Sequence, residues 1–132
     1  MDKPLLDRRA LLKMGLAASG VLGVGATWWH HASMENRLVL RLAGWVARSE
    51  DVTTIGQAYL ERQPEEAHRN TLTRLLARDL SLFPYGVSDD ELRQRSRAKI
   101  ASDFADANTL TVQGWILSRT ELRLCALAAL LP

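Results

Sequence analysis

Directly behind a paired arginine, Arg8-Arg9, the chain runs through Met14-Gly15-Leu16-Ala17-Ala18-Ser19-Gly20-Val21-Leu22-Gly23-Val24-Gly25-Ala26. Four glycines dilute this apolar stretch, which makes it poor material for a helix in a folded core. A membrane-spanning helix wants about 20 consecutive apolar residues, and the run stops at His30 even with Trp28 and Trp29 counted. A charged start, a short apolar middle and small residues near its end are the three-part layout of an export signal. Of 132 residues, this reading sets aside 1–32 and leaves 33–132 to build a core. A body of that size holds a few helices and is marginal for a deep enzyme pocket.

The leader resembles the twin-arginine translocation signals, whose pattern places a serine or threonine before two arginines, then any residue, two large apolar residues and often a lysine. Arg8, Arg9, Leu11, Leu12 and Lys13 match, and Asp7 stands where serine or threonine is commoner. The resemblance implies recognition by the twin-arginine translocase, export in the folded state, and a periplasmic location in association with the inner membrane. The competing readings are a signal for the unfolded-chain secretory route and a basic amphipathic helix opening a soluble domain. Cleavage fits after Ala26, with Val24 at the third residue before the cut. Trp28 and Trp29 would make an unusual mature start, and tryptophan favours membrane interfaces, so an uncleaved anchor is the alternative.

Net charge is +2, and Lys3, Arg8, Arg9 and Lys13 against Asp2 and Asp7 account for all of it. The body that follows is balanced in charge and gives no general electrostatic reason to bind nucleic acid, since such binding rests on clustered cations releasing counterions. One cysteine, Cys125, excludes an internal disulfide. Together with His30, His31 and His68 it makes too small and scattered a set for a metal site, so no metal is expected.

The body reads as all-α, a bundle of four to five helices behind the export-signal helix. Residues 35–48 place Leu38, Leu42, Trp45 and Val46 on one face. Thr53 or Thr54 is expected to cap a short helix presenting Ile55, Ala58 and Tyr59, ending near Gln63 because Pro64 follows. Pro64 then opens a helix with Glu65 and Glu66 at its positive end and Leu72, Leu75, Leu76 and Leu80 on its apolar face. Leu82-Phe83-Pro84-Tyr85-Gly86 breaks the pattern. Ser88 and Glu91 form a capping box for a helix reaching about Ala105, with Leu92, Ile100 and Phe104 apolar and a basic run from Arg93 to Lys99 read as a solvated face. Only Leu110-Thr111-Val112 alternates like a strand, and it is short.

The carboxy-terminal segment is the most tailored. Ser118 and Glu121 form a second capping box, and Leu117 before the cap can staple to Leu122. Gly114 frees the backbone just ahead, so Trp115 can be aimed. Trp115 either covers the protein's own core or anchors a protein interface; Cys125 reads as a small buried apolar residue of the final helix. Ser118, Thr120, Glu121 and His68 include nucleophile and base types, but no glycine-rich nucleophile turn surrounds them, and catalytic residues are not expected.

The stretch from Gly114 to Leu127 resembles the end of the small subunits of bacterial membrane-associated, FAD-dependent sugar and polyol dehydrogenases, the sorbitol and fructose dehydrogenase type, whose small subunits also begin with a twin-arginine signal. The resemblance covers the leader and roughly the last 25 residues. It implies a non-catalytic escort that binds no cofactor. A large flavoprotein subunit carries the FAD and crosses the membrane with it, and a cytochrome c subunit commonly receives the electrons. On this reading Gly114, Trp115, Leu117, Arg119 and Arg123 are the expected partner interface. A stand-alone periplasmic or membrane-tethered interaction protein is the alternative.

Because the leader would be read by the translocase and stands apart from the core, replacing Arg8 and Arg9 by lysine is expected to block export and leave the fold intact. Fractionation of cells expressing the tagged double variant, beside circular dichroism of the purified chain, checks both halves of that expectation.

Overall fold

Leucines at three-and-four spacing need a common surface to bury against, and here the last helix supplies it. The computed structural model describes residues 36–46, 49–82 and 86–132, all within a unit spanning Glu35–Pro132. The leader, with Arg8, Arg9, Leu11, Leu12, Lys13 and Ala26, lies outside the described residues, as do residues 83–85. The helices are α1 (residues 36–45), α2 (Glu50–Arg62), α3 (Arg69–Asp79), α4 (Asp89–Ala105) and α5 (Arg119–Ala129). A single 3-10 turn, Pro64–Glu66, precedes α3, and an antiparallel pair, β1 (Thr109–Val112) and β2 (Trp115–Ser118), precedes α5. The class is helical as expected, with a hairpin where the sequence shows one short alternating segment. Among the described residues no helix is long and apolar enough to cross a membrane.

Helix α5 packs on α2, α3, α4 and β2. Its Leu122, Ala126 and Leu127 share one buried cluster with Leu38 and Leu42 of α1, Tyr59 of α2, Leu72 and Leu76 of α3, Leu92 of α4 and Val112 of β1. Arg41 ties α1 to the start of α4, donating from Nε to Asp89 (2.8 Å) and from a terminal nitrogen to the Val87 carbonyl (2.6 Å).

Three local expectations are corrected. Helix α2 starts earlier than Thr53 or Thr54: Ser49 is the cap, its hydroxyl accepting from Val52 N at 3.3 Å. Thr53 and Thr54 lie inside the helix, where their hydroxyls donate to the carbonyls of Ser49 and Glu50. Pro64 opens only the 3-10 turn, and α3 begins anew at Arg69. Ser88 does cap α4 through Glu91 N at 3.3 Å, but the Glu91 carboxylate turns to Arg95, one turn further on. An exposed arginine on the same helix face offers that carboxylate a charge-assisted bond.

Helices α3 and α4 both stop in Schellman motifs without glycine. Ser81 (φ 54°) and Ala107 (φ 55°) take the left-handed position. Leu82 N then donates to Ala77 O (2.8 Å) and Asn108 N to Asp103 O (2.8 Å), satisfying carbonyls the helix ends would leave unpaired.

Helices α2 and α5 approach each other closely at Gly56. A β-carbon there would lie 2.3 Å from the Cys125 carbonyl oxygen and 2.9 Å from the Ala129 β-carbon. Any side chain would push two backbones apart. Gly56→Ala is therefore expected to destabilise the protein by about 1–3 kcal/mol, read as a lower thermal midpoint. Gly44→Ala, where nothing lies within 4 Å, should leave the midpoint unchanged or raise it slightly.

Candidate functional site

The hairpin between α4 and α5 is built around a two-residue turn. Gln113 (φ 51°) and Gly114 (φ 81°) both have positive φ, the signature of a type I′ turn, whose twist matches that of the strands it joins. Gly114 meets this demand without strain. Pairing runs Val112 with Trp115, Thr111 with Ile116, Leu110 with Leu117 and Thr109 with Ser118.

Register decides what each residue faces. Leu110, Val112, Trp115 and Leu117 share one face, directed at the core: Val112 is fully buried, and Leu110 and Leu117 are packed against the cluster. Trp115 sits at the turn end of that face and overhangs it, 64% exposed. Ile116 occupies the opposite face beside Thr111 and is 65% exposed. Two large apolar side chains thus project from the two sides of one short strand.

The strand edges differ as well. A two-residue turn makes its flanking residues a hydrogen-bonded pair, so the N–H and C=O groups of Thr111 and Ile116 point outward. On the β1 side Arg62 donates to the Thr111 carbonyl at 2.6 Å. On the β2 side no group among the described residues takes the Ile116 backbone.

The base of the hairpin is fastened to α5 by the helix's own unpaired N–H groups. Arg119 N donates to the Asn108 carbonyl (3.0 Å), Thr120 N to Asp103 Oδ2 (3.0 Å) and Glu121 N to Ser118 Oγ (3.1 Å). Ser118 N returns to Glu121 Oε2 at 2.9 Å, which completes the expected capping box. Ser118, Glu121 and Thr120 hold the helix start in place, and the Thr120 hydroxyl donates to Asp103 at 2.6 Å.

The sequence pattern does not single out Asp103 and puts its neighbour Phe104 in the apolar set of the helix. The structure buries Asp103 and exposes Phe104, because the carboxylate reaches the positive end of α5. Besides Thr120, it accepts from Lys99 Nζ (2.5 Å) and Asn108 Nδ2 (3.1 Å). Burial alone would raise its pKa. The bonds from Lys99, Thr120 and Asn108 outweigh burial and hold the carboxyl at about 2, against an ordinary 3.8.

A second polar cluster lies behind the hairpin. Arg123, whose side chain is 11% exposed, donates to Glu66 from Nε (2.9 Å) and a terminal nitrogen (2.7 Å), and to Asp79 at 2.7 Å. The Tyr59 hydroxyl donates to Glu66 at 2.7 Å, and Arg119 stands over the Tyr59 ring, 6.0 Å from its centre. The Arg123 guanidinium holds the Glu66 carboxyl below its usual range, against the opposing effect of burial. Burial pushes the Tyr59 hydroxyl up. Burial, then the Glu121 carboxylate, raises the Cys125 thiol to about 11, in keeping with a packing role.

Of the residues expected at a partner interface, Gly114 and Trp115 lie at the exposed hairpin tip. Leu117 faces the core, Arg119 covers Tyr59, and Arg123 points inward to two carboxylates. Ile116 joins the exposed set; its place in an apolar run hid which side it would take. Compared with protein-family models, curated proteins and solved structures, the chain finds no match.

Since the Asp103 pKa is depressed in the folded state, its contribution to stability is complete above the ordinary value of 3.8 and disappears as pH falls to about 2. The difference corresponds to roughly 2 kcal/mol. Urea midpoints measured across this window are expected to fall with pH, and Asp103→Asn should lower stability at neutral pH and flatten much of the acid slope. The depressed Glu66 supplies part of the remainder.

Proposed function

We propose that this chain is a non-catalytic small subunit that escorts an FAD-dependent sugar or polyol dehydrogenase through twin-arginine export and stabilises the complex in the periplasm, at the inner membrane. The flavin belongs to the large partner subunit, and a cytochrome c subunit takes the electrons. One observation carries the docking half of this reading: Trp115 and Ile116 are largely exposed on a hairpin with a type I′ turn, whose base and β1 edge are held by named bonds. Exposed aromatic anchors on a preorganised element lose little freedom on binding, and the open edge of β2 adds backbone groups that an extended segment of a partner can pair with. The export half rests on the Arg8-Arg9 leader and its resemblance to signals that carry folded cargo.

The test is to express a flavoprotein encoded beside this chain with and without it, following export, flavin content and dehydrogenase activity. Loss of all three without the small chain is expected; normal folding, export and turnover of the flavoprotein alone would refute the escort role. Trp115→Ala should weaken the complex by about 2 kcal/mol, roughly thirtyfold, with the monomer's thermal midpoint nearly unchanged because the ring is mostly in solvent. A large fall in that midpoint with assembly intact would assign Trp115 to the core.

A further inference from the structure

On the flank formed by α1, α4 and α5, a cleft of about 420 Å³ opens between Trp45 and Val46 on one side and the middle of α4 on the other, with Leu124 of α5 below. Helix α4 contributes Arg93, Ser96, Arg97 and Ile100, which fall at three-and-four spacing and so share a face.

Ser96 is the unusual member. It is 4% exposed, and its hydroxyl has no hydrogen-bond partner among the described residues. Other helical hydroxyls in this protein do better: Thr54 and Thr73 each bond the carbonyl four residues back at 2.9 Å. A buried donor left unpaired costs free energy that a ligand can recover by accepting from it.

Charge around the cleft is also uncompensated. Elsewhere on α4, Arg95 pairs with Glu91 and Lys99 with Asp103. Arg97 has no carboxylate within ion-pairing distance among the described residues. Arg93 reaches only Asp90, at 3.8 Å on a fully solvated side chain, and lies 5.8 Å from the centre of the Trp45 ring. No acidic residue among those described lines the cleft. Two guanidiniums beside an apolar wall, with one unpaired hydroxyl, form a recognition set for a negative head on a hydrocarbon body.

We propose that this cleft binds a small aliphatic monocarboxylate, its head on Arg97 and Arg93 with Ser96 as a further donor, its chain along Val46, Ile100 and Leu124 beside the Trp45 ring. This site is separate from the hairpin and stands whether or not the escort reading does.

The test uses the full chain with octanoate as probe and 1-octanol as the uncharged chain of equal length, followed by calorimetry and by probe-induced change in melting temperature. Octanoate is expected to bind saturably, and octanol and the Arg97→Gln variant should each lose about tenfold or more in affinity. Ser96→Ala should melt at a higher temperature than the parent without probe, since an unpaired buried hydroxyl is gone, and should lose most of the rise that octanoate induces. Absent or unsaturable octanoate binding, or octanol binding as well as octanoate, would overturn the proposal. So would a Ser96→Ala variant that melts lower than the parent and binds normally, because the hydroxyl would then serve the fold.

Discussion

A guanidinium drawn almost wholly out of water must be matched in charge and in hydrogen bonds, and Arg123 is matched from two different elements. Glu66 of the 3-10 turn takes it in a two-pronged contact, Asp79 at the end of α3 takes a third bond, and Tyr59 of α2 completes the Glu66 carboxylate. Paired and bonded, such a cluster does little harm to stability; with one partner removed, a stranded charge costs about 3–5 kcal/mol. The cluster therefore acts as a register pin. Helix α5 can neither slide nor rotate against α2 and α3 without losing several charge-assisted bonds together, and α5 is the helix on which α2, α3 and α4 all pack.

Asp103 performs the corresponding task at the start of that helix. Its two oxygens serve Lys99 on its own helix, Asn108 at the approach to β1 and Thr120 after β2. The hairpin thus leaves and rejoins the body through groups that share one carboxylate. Its tip can be exposed without being loose, and that combination is what the proposed docking role draws on. The left-handed Ala107 turns the chain so that Asn108 meets Asp103, which makes a strained residue part of the site's support.

Local signals were the readable ones. The apolar stripes of α1 and α3, the ending of α2 before Pro64 and the serine caps at Ser88 and Ser118 depend on neighbours within one or two turns, and each appears in the fold. What stayed hidden depends on distance or on competition. Glu66 and Arg123 are 57 positions apart, and nothing in either neighbourhood announces the other. Ser49 outcompeted Thr53 and Thr54 for the cap of α2, a choice among three plausible residues. Phe104 and Asp103 are adjacent, so a rotation of one residue on α4 decides which is buried, and the α5 terminus settles it for the acid. The Gln113-Gly114 turn lacks the asparagine or aspartate that usually marks such hairpins, which left β2 unread although its partner strand was noticed. The inward turn of Arg123 likewise depends on distance, since its partners Glu66 and Asp79 lie 57 and 44 positions away.

The outer side of β2 has one more consequence. A free backbone edge flanked by tryptophan and isoleucine is a template for pairing with any other extended chain, including a second copy of itself. On the β1 side the Arg62 guanidinium discourages such growth, but β2 carries no charged gatekeeper of its own at Ile116. That short strip of backbone is therefore where self-association of the chain would start.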